Sequence, residues 1–213
     1  MICDAILFDL DGVLVDSREC VERTWRSWAA ERGFDPDAVL REAHGRRTYE
    51  TIARVAPHLD AEAEGARIAA SETGETRGLY EIAGARELLA ALPPRSWAIV
   101  TSGIRAVAET RIRHMRLPKP PVLIPADEIS RGKPDPEGYL AAAQRLAVDP
   151  ARCVVVEDAP PGIDAARAAG MRSIGVLGTY PPDALGLADI IISSVAALRV
   201  TPRAGQLSIR FVT

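Results

Sequence analysis

Acidic residues stand where apolar runs stop. Ile6-Leu7-Phe8 leads into Asp9-Leu10-Asp11-Gly12, and Val154-Val155-Val156 leads into Glu157-Asp158. A third run, Ala98-Ile99-Val100, ends in Thr101-Ser102-Gly103, and Lys133 lies in the turn Gly132-Lys133-Pro134-Asp135-Pro136. Each piece also has an ordinary reading. An isolated Asp-Gly closes a hairpin, an acid pair before two prolines caps a helix, and a turn lysine is solvated. A D-x-D start opens a calcium loop as well, but the later glycine and closing glutamate of such a loop are missing here.

The case for chemistry comes from convergence. Asp9 and Asp11 are two residues apart, so both face one side if strand geometry continues through them. One carboxylate can then attack phosphorus while the other handles the leaving-group and water protons. Acids at both the first and fourth strand ends would crowd negative charge into one crevice, which is costly unless a cation binds. Hard oxygen donors with room for water and a substrate phosphate point to Mg²⁺. Thr101 and Ser102, ahead of a helix, offer hydroxyls and free backbone N–H groups for an anion, or simply an N-cap. Lys133 fixed beside the acids would neutralise transferred phosphate charge.

The elements that must position these groups follow from hydrophobic pattern. Ala5–Phe8, Trp97–Val100, Val122–Ile124, Cys153–Val156 and Ser173–Leu177 read as buried strands, with Ile190–Ile192 a sixth candidate. Continuous Val/Ile/Leu runs without alternation suit a parallel sheet covered on both faces. Helical patterns over 84–92, 103–115, 136–147 and 161–169 alternate with them. The third has Asp135 as expected N-cap and Pro136 at the first helical position. The fold class is therefore α/β, a doubly wound, Rossmann-like parallel sheet, and the three strand-end motifs fall on its carboxyl edge, where such folds bind ligands.

One stretch breaks the alternation. Between Val15 and Ala83 there are only helical patterns, over 17–32, 36–43, 49–56 and 61–73, so a helical subdomain is expected to interrupt the sheet after its first strand. The organisation read from this is a core of residues 1–15 and 84–213, with a helical cap of 16–83. Leu207, Ile209 and Phe211 alternate in the tail and suggest a short antiparallel edge strand.

Bulk properties exclude several classes. The chain has 213 residues, 47% hydrophobic and 26% charged, with a net charge of -3. That suits a chain able to bury a real core, and gives no electrostatic pull toward nucleic acid or an anionic membrane. Cys3, Cys20 and Cys153 are odd in number and form no CxxC, so small buried residues in a reduced, cytoplasmic setting are expected. The apolar N-terminus is broken by Asp4, Asp9 and Asp11 too early for a signal peptide or membrane span. A monomer or weak homo-oligomer is expected.

With the residues in view, the chain resembles the haloacid dehalogenase-like superfamily over nearly its whole length. "ILFDLDGVLVDS", "AIVTSG", "RGKPDPEGYL" and "VVVEDAPPGIDAARAAG" are similar to its four motifs, in order. The resemblance implies a phospho-aspartate enzyme with Asp9 as nucleophile and Asp11 as general acid/base. It implies phosphate held by Thr101 and Lys133, with Ser102 beside them. Mg²⁺ would be ligated by Asp9, the Asp11 carbonyl and Asp158, with Glu157 in support, and residues 16–83 would form the family's helical cap. Asp11 argues against a true dehalogenase. Val21 stands near where β-phosphoglucomutase-like enzymes carry a cap histidine, which disfavours a mutase. "AHGRRTYETI" and the region around Lys133 are more similar to sugar- and glycerol-phosphate phosphatases, so the expected substrate is a small phosphorylated sugar or polyol. Phosphoglycolate phosphatase, a mutase-like phosphotransferase and a non-catalytic binding protein are the alternatives. Arg47, then Arg46 and His44, are the cap residues expected to contact substrate, or else a solvated helix start.

Overall fold

The computed structural model describes residues 1–43, 45–203 and 205–212. Chain order is β1 (Ile2–Cys3), β2 (Ala5–Phe8), β3 (Val15–Asp16), α1 (Arg18–Arg32), α2 (Pro36–Ala43), α3 (Thr48–Val55), α4 (Ala61–Gly74) and β4 (Tyr80–Glu81). There follow α5 (Ala85–Ala91), β5 (Trp97–Val100), α6 (Arg105–His114), β6 (Leu123–Ile124), α7 (Glu137–Leu146), β7 (Cys153–Glu157), α8 (Pro160–Ala168), β8 (Arg172–Val176), β9 (Ile190–Ile192), β10 (Leu198–Arg203) and β11 (Gln206–Phe211).

Six strands form one parallel sheet in the order β6-β5-β2-β7-β8-β9. Alternation along β2 divides its side chains between two cores. Ile6 and Phe8 pack with Leu88 and Leu89 of α5 and Ala108 and Ile112 of α6. Ala5 and Leu7 pack with Tyr139 and Ala142 of α7 and Ala165 and Ala166 of α8. Helices thus cover both faces, which is why the strands carry no polar alternation. Register then aligns the chemistry. Phe8 lies beside Ile99 and Val156, so Asp9, Val100 and Glu157 emerge side by side.

The helical stretch between β3 and β4 has its own core of Trp25, Trp28, Val39, Leu40, Ile52 and Ile68. Trp28 stacks on Phe34 at 5.5 Å and donates its indole N–H to Glu64 at 2.7 Å. Gly33 ends α1 in the left-handed conformation, with φ 75°. The two chain crossings pair with each other, Val15 with Glu81 and Asp16 with Tyr80, in a two-residue ribbon. Two residues carry no periodicity, so these strands leave no signal in the hydrophobic pattern, where only helices are expected.

Other departures are local. Pro136 occupies the N-cap position of α7 instead of its first turn, and the Asp135 carboxylate accepts the Glu137 amide at 3.0 Å. The expected tail strand forms, but β11 pairs antiparallel with β1 and β10 in a separate three-stranded sheet. Leu207 and Ile209 are buried there while Phe211 is exposed. All three cysteines are buried and free. Among the described residues, no helix is long and apolar enough to cross a membrane.

Ile52 is fully buried in the helical stretch's own core. Ile52→Ala should lower stability by about 2–5 kcal/mol, since the cavity left adds to the lost transfer energy. Urea unfolding measures this; a change below about 0.5 kcal/mol, as at an ordinary surface site, contradicts a tightly packed cluster.

Candidate active site

Asp9 follows directly on β2, and its amide donates to the Val156 carbonyl at 2.9 Å, so the turn begins anchored to β7. Its carboxylate is buried and accepts from Lys133 Nζ at 2.5 Å. The same ammonium donates to Glu157 Oε1 at 2.5 Å and to the Val100 carbonyl at 3.3 Å. All three of its protons are therefore used. The Tyr139 hydroxyl also donates to Glu157 Oε1, at 3.0 Å, and Glu157 Oε2 accepts the amides of Asp158 and Ala159 at 2.9 and 3.0 Å. Glu157 is thus saturated by the groups it holds in place.

Two glycines permit these approaches. A Cβ on Gly162 would stand 1.7 Å from Glu157 Oε1, and one on Gly12 would stand 1.8 Å from Asp158 Oδ2. Gly12 also has φ +79°, a conformation side chains rarely adopt.

Asp11 faces the same cavity with different partners. Its Oδ1 accepts from the Ser17 hydroxyl and its Oδ2 from Arg111 Nη1, both at 2.6 Å. Arg111 in turn lies 3.4 Å from Glu72 of α4 as an ion pair. Thr101 is buried, and its Oγ1 accepts the Gly103 amide at 3.0 Å. Asp9, Asp11, Thr101, Lys133 and Asp158 all line one cavity between the sheet edge and the helical stretch.

The electrostatics call for a cation. Ligand atoms of Asp9, Glu157 and Asp158 lie within 4.8 Å of one another, and all three residues are buried. One ammonium faces three carboxylates. Burial pushes Asp9 up to about 8 against the pull of Lys133, with Glu157 and Asp11 adding to the rise. Burial, then Glu157 and Asp9, push Asp158 well above the usual carboxylate range. Burial alone would lower Lys133, but Asp9 and Glu157 outweigh it and hold the ammonium protonated. A hard divalent ion is the group that such an oxygen-rich, over-acidic pocket fits.

Other expected residues land elsewhere. Ser102 lines the cavity, but its hydroxyl donates to the Gly45 carbonyl at 3.1 Å and so ties the sheet edge to the helical stretch. Arg47 does not line the cavity of Asp9. It is buried, donating to Glu50 Oε1 at 2.7 Å and to the carbonyls of Ile129 and Ser130 at 3.3 and 3.2 Å. Those acceptors consume its donors, so it joins the helical stretch to the loop before Lys133. Its neighbour Arg46 does line the cavity, as do Val21 and Trp25. His44 lies outside the described residues.

Arg111 and Glu72 are further residues of the cavity, and the sequence carries a signal for both. Arg111 follows Val107 by four and Ala108 by three, and Glu72 follows Ile68 by four and Ala69 by three. Each charge therefore sits in phase with the buried face of its helix.

A family model described as haloacid dehalogenase-like hydrolase matches residues 3–170. The chain belongs to the haloacid dehalogenase-like hydrolases. It is 40% identical over 206 residues to hexitol phosphatase A of Escherichia coli (strain K12), covering 94% of this chain and 95% of that protein. It is 35% identical over 213 residues to glycerol-1-phosphate phosphohydrolase 2 of Saccharomyces cerevisiae (strain ATCC 204508 / S288c), covering 92% and 84%. Among solved structures, CbbY from Rhodobacter sphaeroides in complex with phosphate superposes with a TM-score of 0.75 at 25% identity, over 91% of this chain and 95% of that one.

In this haloacid dehalogenase-like hydrolase, Gly162 gives the tightest test of the site's packing. Gly162→Ala must displace Glu157 and with it Lys133, and a shift of about 1 Å costs on the order of 10²-fold in rate. Hydrolysis of p-nitrophenyl phosphate should fall by that order while circular dichroism stays unchanged. Full activity in the variant would mean that Glu157 is not needed where it stands.

Proposed function

We propose that this hydrolase is a Mg²⁺-dependent phosphomonoesterase that releases phosphate from a small phosphorylated polyol or sugar through a phospho-aspartate at Asp9. The observation that carries this reading is the meeting of Asp9, Asp11, Thr101, Lys133 and Asp158 in one cavity at the carboxyl edge of a parallel sheet. The relatives named for hexitol and glycerol-1-phosphate hydrolysis support the substrate class.

In this mechanism an Asp9 carboxylate oxygen attacks phosphorus while Lys133 holds the other oxygen and fixes the angle of approach. Asp11 gives its proton to the departing alkoxide, so a free alcohol leaves. Asp11 then takes a proton from water as that water's oxygen attacks the phosphorus of the aspartyl phosphate. Inorganic phosphate departs and the Asp9 carboxylate is restored. The Thr101 hydroxyl and the amides at the start of α6's loop hold phosphate oxygens through both steps. The carboxylates of Asp9 and Asp158 and the Asp11 carbonyl would hold Mg²⁺, which when bound supplies positive charge to the phosphate oxygens and offsets the excess of acids. Glu157, saturated by Lys133, Tyr139 and two amides, serves as the brace of that set.

Residues 16–83 act as a cap over the site, and the substrate contact expected of Arg47 passes to Arg46 in this reading, because Arg46 lines the cavity. Val21 at the cavity wall, where a mutase would carry histidine, favours water as the final acceptor.

Asp9→Asn should leave the fold intact and abolish phosphate release, and excess chelator should stop the wild type until Mg²⁺ is restored. Turnover near the wild-type rate in either case would rule out this mechanism. Asp11→Ala should slow steady-state release by about 10²–10⁴-fold, the usual worth of general acid–base assistance. Conversion of a hexose 1-phosphate to its 6-phosphate, with a bisphosphate activator, would instead identify a mutase.

A further inference from the structure

Arg111 is a costly residue where it stands. Its side chain is 4% exposed, and among the described residues only its Nη1 has a hydrogen-bond acceptor, the Asp11 carboxylate. Nε and Nη2 are buried with no hydrogen-bond partner among the described residues. Glu72 Oε1 approaches Nη2 at 3.4 Å, an ion-pair distance without hydrogen-bond geometry. Buried guanidinium donors are nearly always satisfied in native proteins, by protein, water or ligand. Arg111 and the buried Glu72 both line the cavity, and they come from different elements, α6 of the sheet core and α4 of the helical stretch.

We propose that Arg111 and Glu72 form a hydroxyl-binding wall that recognises the polyol chain of the leaving group. This rests on the polyol-phosphate reading above and names the residues that select for it. A substrate hydroxyl is both donor and acceptor. It accepts from Arg111 and donates to Glu72, which satisfies the free donors of one and gives the other a hydrogen bond. Asp11 binds the same guanidinium, so the wall stands next to the group that protonates the ester oxygen. The hydroxyls nearest that oxygen are the ones it reads. A leaving group ending in carboxylate or a second phosphate could accept from Arg111 but would face Glu72 and Asp11, two acids. The wall therefore selects neutral polyols over anionic leaving groups.

The test compares glycerol 1-phosphate with n-propyl phosphate, which has the same carbon chain without hydroxyls, and uses sorbitol 6-phosphate as a longer polyol. Each is assayed by phosphate release with wild type, Glu72→Gln and Arg111→Lys. A hydrogen bond to a charged group is worth about tenfold or more in discrimination. Both variants should lower the ratio of kcat/KM for each polyol ester to that for n-propyl phosphate by about that factor. Glu72→Gln should also narrow the preference for glycerol 1-phosphate over phosphoglycolate. A wild type that prefers the polyol esters, with ratios unmoved in both variants, overturns this proposal alone; the pair is then a strut between α4 and α6. A wild type that turns over n-propyl phosphate but neither polyol ester overturns the substrate reading and this proposal with it.

Discussion

The site depends on a single buried ammonium. Lys133 Nζ touches Asp9 after β2, the Val100 carbonyl at the end of β5 and Glu157 at the end of β7. Those are three adjacent inner strands of the sheet. Removing a charge from water costs several kcal/mol, and the cost is recovered only where every proton finds a well-placed acceptor. Lys133 meets that condition because the parallel register puts the three acceptors at one level. A slip of one residue in either strand pairing would turn an acid into the core and leave the ammonium unpaired. Register and chemistry therefore constrain each other.

The acids then exceed what one lysine can neutralise, and the close packing leaves Asp9, Glu157 and Asp158 little contact with water. Gly12 brings the Asp9–Asp11 turn against Asp158, and Gly162 brings α8 against Glu157, at distances that no side chain would allow. The upward shifts of Asp9 and Asp158 are the electrostatic record of this crowding. The proposed attack by Asp9 requires its carboxylate ionised and so a further positive charge here, and the oxygen donors suit a hard cation.

Much of this was legible in sequence because strong local signals coincide with it. Uninterrupted apolar runs gave the strands, and their abrupt ends in Asp9, Thr101 and Glu157 located the sheet edge. What stayed hidden is tertiary. Arg46 and Arg47 are adjacent, so which one meets the cavity depends on how the chain enters α3. The carbonyls of Ile129 and Ser130, which claim Arg47, lie more than eighty residues away. Arg111 and Glu72 were readable in principle as charges in phase with apolar helix faces, though that pattern alone says only that they are internal. The β3–β4 ribbon has two residues in each strand, and its pairing has no periodicity to detect.

Among the polar links that join the helical stretch to the sheet core around the cavity, three bear on separate parts of the site. Ser102 donates to Gly45, Arg47 to Ser130, and Arg111 faces Glu72. Each begins or ends beside a residue of the proposed chemistry: Ser102 follows Thr101, Ser130 precedes the Lys133 turn, and Arg111 holds Asp11. Moving the helical stretch would therefore disturb the phosphate cradle, the lysine loop and the acid/base residue together. A substrate that satisfies Arg111 and Glu72 would strengthen the one link that lacks hydrogen bonds of its own. Substrate recognition and closure over the site would then be a single event, set by the same two side chains.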